Sequence, residues 1–108
     1  DLHLGNAFPG PVISDWGDAV ISHPFCTMRT VSFNATSIGA DTRIIEDSYL
    51  RLWGTPTDLR EALHVATRLA VSQRLRMWCL LDDPDLVAEY NSYITPLIHE
   101  IGRQPTIP

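Results

Sequence analysis

The chain has 108 residues, enough for one domain with a core of its own, and it carries a formal charge of −5 with a pI near 5.1. Its eight basic residues are all arginine and form no basic cluster, which with the negative charge argues against a nucleic-acid-binding face and suits neutral or cationic partners. No apolar run approaches the roughly 20 residues of a membrane span, and no secretory signal is visible.

In chain order, residues 1–6 read as a loop. Ala7-Phe8 and residues 11–14 read as two short extended pieces separated by the turn dipeptide Pro9-Gly10. A hairpin of this kind returns Asp15 to the neighbourhood of Asn6. From Pro24 the period becomes helical through Phe25, Met28, Val31 and Ser32, with proline suited to the first turn. Residues 34–41, containing Gly39, read as the loop that ends this helix.

A second helix is expected over residues 42–53, with Ile44, Ile45, Tyr49, Leu52 and Trp53 on its apolar face and Gly54 as its stop. Thr55-Pro56-Thr57-Asp58 starts a third, with a capping hydroxyl, proline at the first helical position and an early acid. Its apolar stripe reads Leu59, Leu63, Ala66, Leu69/Ala70, Met77 and Leu80/Leu81. Asp83-Pro84-Asp85 starts a fourth, carrying Leu86/Val87, Tyr90, Ile94, Leu97/Ile98 and Ile101. Pro96 within that pattern is expected to kink or split the helix. The tail at 105–108 is expected to fray. Cys26 and Cys79 form no Cys-x-x-Cys pair and read as buried free thiols, consistent with a reducing cytoplasm.

The chemistry-bearing residues are concentrated at the start. Asp1 and Asn6 lie five positions apart, and Asp15 follows Val12-Ile13-Ser14. This is the layout of a phosphoryl-transfer loop: one carboxylate accepts the acceptor's hydroxyl proton, while an amide oxygen and a second carboxylate hold Mg²⁺.

The letters around these residues sharpen the comparison. Asp1-Leu2-His3-Leu4-Gly5-Asn6, then Ile13-Ser14-Asp15-Trp16-Gly17-Asp18-Ala19, then Ser22-His23-Pro24, together resemble the aminoglycoside phosphotransferase family, a branch of the protein-kinase-like fold. The resemblance implies a mainly α fold with a small β-hairpin, part of the large lobe of such a kinase. Residues 1–23 would form the catalytic and metal-binding loops and residues 24–104 a helical subdomain. It implies Asp1 as the catalytic residue, Asn6 and Asp15 as metal ligands, and His3 and Asp18 as substrate-side or loop-supporting groups. Mg²⁺ and ATP, or GTP, would be the cofactors, and a small-molecule hydroxyl the acceptor, in a cytoplasmic enzyme. Trp16 would pack beneath the metal loop, and the His23 ring would cap the helix that follows.

Two departures bear on these expectations. The family's His-Gly before the loop has no counterpart, and neither does a kinase's phosphate-pairing lysine or Gly-rich loop. A C-terminal piece of a longer protein is therefore expected, inactive alone, whose uncovered surface drives self-association. Thr27-Met28 also stands where many relatives have Asp-Leu, an acid that braces the catalytic loop. That substitution is what favours the alternative, a non-catalytic binding or regulatory domain derived from the same fold.

Two further groupings are possible on paper. His3, His23, Asp15 and Asp18 could make a zinc site, although a loop and turn role suits both histidines better. Tyr49, Trp53, Trp78, Tyr90 and Tyr93 could line an acceptor pocket, although core packing accounts for most of them. His64 and His99 carry no motif.

Overall fold

A computed structural model describes residues 2–103, with the side chain of Asp18 left out. It is mainly helical with one small antiparallel hairpin. Strands β1 (Ala7–Phe8) and β2 (Val12–Ile13) pair Ala7 with Ile13 and Phe8 with Val12. The connecting turn needs a positive φ, which Gly10 supplies at 101°. Helices α1 (Met28–Ser37), α2 (Thr42–Leu50), α3 (Pro56–Cys79) and α4 (Pro84–Gly102) follow, with short 3-10 turns at Leu4–Asn6, Trp16–Asp18 and Pro24–Thr27.

The chain divides into two compact units, Asp1–Thr67 and Arg68–Pro108, and the division falls within α3. In the first unit, Phe25, Cys26, Met28, Ala35, Leu50, Leu63 and Ala66 are buried. The Cys26 thiol donates to the carbonyl of Ala66 at 3.4 Å. Three helices are also tied by polar groups: Ser32 of α1 donates to Glu46 of α2 at 3.0 Å. Arg60 of α3 reaches Glu46 at 3.0 Å and also pairs with Asp47. In the second unit Val71 and Leu97 are buried.

Several expectations are corrected. Helix α1 runs on to Ser37, through part of the stretch assigned to a loop. The polar side chains there bond back into the helix: Asn34 Nδ2 donates to Thr30 O at 2.8 Å and Thr36 Oγ1 to Ser32 O at 2.9 Å. Gly39, at φ 72°, then ends the helix in a Schellman motif, with Gly39 N–H on Thr36 O and Ala40 N–H on Ala35 O.

Helix α2 stops at Leu50, three residues before the expected end, and a tight turn brings the Leu52, Trp53 and Gly54 amides back onto Tyr49 and Leu50. Its inward residue is Leu50, fully buried, while Ile44, Leu52 and Trp53 are exposed. On α3, Leu69 and Met77 likewise face solvent and Val71 is buried in their place. Pro96 does not split α4, which is continuous from Pro84 to Gly102. Cys79 is exposed rather than buried. No described helix is long and apolar enough to cross a membrane.

Candidate functional site

The N-terminal loop is held by its own side chains. His3 precedes the 3-10 turn Leu4–Asn6 with extended backbone, and its Nδ1 accepts from Gly5 N–H at 3.1 Å. Its carbonyl accepts from Asn6 N–H at 2.9 Å. A ring nitrogen thus satisfies a helix-start donor in the manner of a capping oxygen. The fit is close: a Cβ on Gly5 would lie 2.9 Å from the His3 ring. Asn6 is buried at the end of this turn.

The hairpin then returns the chain to Asn6. Beyond the Ala7–Ile13 pair, Ser14 N–H donates to Asn6 O at 2.9 Å. Asp15 is therefore covalently attached to the residue that is hydrogen-bonded to Asn6. Asp15 itself adopts the left-handed conformation, with φ 58° and ψ 65°, the one described non-glycine residue with positive φ. Asp tolerates this region better than most residues, yet it still costs on the order of 1 kcal/mol. The carboxylate makes no cap hydrogen bond to the 3-10 turn it precedes.

Trp16 is not packed beneath the loop. It is 66 % exposed, and its indole N–H donates to Ile13 O at 2.9 Å, so it braces the hairpin end from outside. Nothing in the sequence distinguished this bracing role from core packing. His23 does cap the helical segment that follows: its Nδ1 accepts from Phe25 N–H at 3.2 Å and its ring meets the Phe25 ring edge-on at 4.8 Å. Thr27 ends the 3-10 turn and provides no side-chain cap to α1.

Of the expected site residues, Asp1 lies outside the described residues, as does the Asp18 side chain. The structure brings Asn6 and the 14–15 segment together and keeps His3 beside Asn6. Both histidine Nδ1 atoms are engaged by backbone amides. Among the described residues no group of three or more His, Cys, Asp or Glu side chains converges to hold a metal ion.

The aromatic residues separate into two sets. Tyr49 and Trp53 meet Phe25 at 6.0 and 5.9 Å within the first unit, and Tyr49 OH donates to Pro24 O at 3.0 Å. Trp78, Tyr90 and Tyr93 meet at 4.3 to 6.2 Å within the second. His64 and His99 are exposed on their helices.

Comparison with models of protein families, with curated proteins and with solved structures finds no match to this chain.

Proposed function

We propose that the chain carries the acceptor-activating and metal-binding part of a small-molecule kinase, which transfers the γ-phosphoryl group of ATP or GTP to a substrate hydroxyl. The observation that carries this reading is the hairpin closure, Ser14 N–H on Asn6 O at 2.9 Å. It sets the amide-bearing residue and the Asp15 segment at one end of the hairpin. Supporting it, Asp15 holds a strained backbone with its carboxylate unused as a cap, and strain of this kind concentrates at functional positions.

The donor set fits Mg²⁺, a hard cation that takes one or two protein oxygens and keeps several waters. Bound there, the ion would neutralise phosphate charge. Asn6 would offer its amide oxygen and Asp15 its carboxylate. Asp1, five residues before Asn6, would orient the acceptor hydroxyl and take its proton. His3 would hold the loop between them through its bond to Gly5 N–H. The phosphate-pairing lysine and Gly-rich cover have no counterpart in this sequence and would be supplied by further chain. A cytoplasmic location, where nucleotide and Mg²⁺ are plentiful, goes with this reading.

The test is Mg²⁺-dependent ADP release by the full-length protein over a panel of hydroxyl compounds. Acceptor-stimulated turnover is expected, falling by about 10²-fold or more in Asp1→Asn and equally lost in Asp15→Asn. If no acceptor stimulates turnover and no Mg²⁺-nucleotide complex binds, a non-catalytic binding domain is the better account.

A further inference from the structure

Trp16 departs from the habit of its residue type. Tryptophan ordinarily buries most of its ring and lets the indole N–H find a partner. Here the ring is 66 % exposed, while its one polar atom is committed to the carbonyl of Ile13 at 2.9 Å. The bond closes a short ring of chain over residues 13–16, and inside that ring lies Asp15 in its left-handed conformation, φ 58° and ψ 65°.

The neighbours of Asp15 are anchored on both sides. Ser14 N–H is fixed on Asn6 O at 2.9 Å, and Ala19 N–H returns to Trp16 O at 3.0 Å. The Asp15 carboxylate takes no part in this bonding as a helix cap, and the residue is exposed. One of its oxygens lies beside Gly17, 3.7 Å from where a Cβ of that residue would stand, so no side chain at position 17 covers it.

A left-handed aspartate and a single indole–carbonyl hydrogen bond are of the same order in free energy, so the bond is strong enough to hold the conformation. Without it, Asp15 relaxes towards the wells that a non-glycine residue prefers, and its carboxylate moves with the backbone. A phenylalanine at this position would keep a ring and lose the donor.

We propose that Trp16 is a positioning residue, whose indole N–H, acting through Ile13 O, holds Asp15 in the backbone conformation that sets its carboxylate for Mg²⁺. The inference rests on the phosphotransfer reading of this site. It adds a residue that acts by a hydrogen bond from the surface and not by packing beneath the loop. Mg²⁺ demands near-ideal octahedral geometry and takes few protein oxygens, so a displaced carboxylate loses affinity even with its charge unchanged.

The test is binding of Mn²⁺, a cation that suits the same oxygen ligands, to the full-length protein at saturating ADP, read from the free-ion signal in electron paramagnetic resonance. Two replacements remove the donor. Trp16→Phe keeps an aromatic ring, and benzothienylalanine at the same position keeps the bicyclic shape with sulfur in place of the N–H. Trp53→Phe, at an exposed indole of the same unit outside the loop, measures the effect of losing an indole elsewhere, and Asp15→Asn tests the ligand itself. Circular dichroism and the thermal midpoint certify the fold of each.

Both replacements at Trp16 are expected to raise the Mn²⁺ dissociation constant about fivefold or more, with Trp53→Phe within about twofold of wild type and Asp15→Asn the weakest of all. If wild type binds Mn²⁺, Asp15→Asn does not, and both Trp16 replacements bind as wild type does, the metal site stands and this inference is overturned. It is also overturned if Trp53→Phe weakens binding equally, or if Trp16→Phe weakens it and benzothienylalanine does not, since ring shape and not the donor would then matter. Wild-type protein that binds no Mn²⁺ with ADP overturns the phosphotransfer reading itself, and this inference with it.

Discussion

Tyr49 shows how a single polar atom ties local geometry to the stability of the first unit. Its hydroxyl donates to Pro24 O while its ring meets Phe25, so the phenol fastens α2 to the turn that His23 caps. Burial pushes its pKa above the ordinary tyrosine value, outweighing the opposing effect of a hydrogen bond with the Trp53 side chain. The folded state therefore holds this proton more tightly than the unfolded chain. Its contribution is complete below the usual tyrosine pKa of about 10 and is lost as pH rises through the higher folded value. Tyr49→Phe removes the bond to Pro24 O and is expected to cost about 1 kcal/mol near neutral pH. It should also flatten the loss of stability above pH 10, read from urea unfolding at a series of pH values. An alkaline loss as steep as wild type in the variant would place its origin elsewhere.

At the scale of elements, the punctuation was the legible part and the inward faces were not. Asp83 caps α4 through Asp85 and Leu86 N–H as its sequence position suggests, because short acidic side chains satisfy the first orphan amides of a helix; Asp41, which reads only as the end of a loop, caps α2 through Arg43 and Ile44 N–H in the same way. The hairpin was legible from Pro9-Gly10 between two apolar pairs. Burial was misjudged where a helix ended early. With α2 closing at Leu50, Leu52 and Trp53 leave the helical phase, and Leu50 turns inward instead. The extent of α1 was hidden because Asn34 and Thr36 look like loop residues until their side chains are seen bonding back to carbonyls four residues earlier. Gly39 offers a clean test of the α1 terminus. Its φ is 72° and nothing lies within 4 Å of where a Cβ would stand, so Gly39→Ala should cost about 1 kcal/mol through backbone strain alone. Thermal unfolding reads this directly, and an unchanged or raised midpoint would mean that the Schellman closure adds nothing.

For the whole molecule, a mainly α chain with one hairpin follows from periodicity and turn residues. The division inside α3 could not be seen that way, because the stripe read along that helix runs from Leu63 and Ala66 to Leu69/Ala70 across the boundary without a break. Nor could the exposure of the N-terminal segment be seen, since apolar residues in a strand pattern predict a covered face whether or not the chain contains the cover. The charge of −5 is also a property of the entire chain, and it opposes any association of two copies. Salt therefore separates the two ways copies could meet. Raising NaCl from about 10 mM to about 1 M shortens the screening length from about 30 Å to about 3 Å, which removes the mutual repulsion and leaves apolar contact intact. The dissociation constant from sedimentation is then expected to fall several-fold over that range. A constant that rises with salt would mean that ion pairs of the eight arginines with the acidic residues hold the copies together.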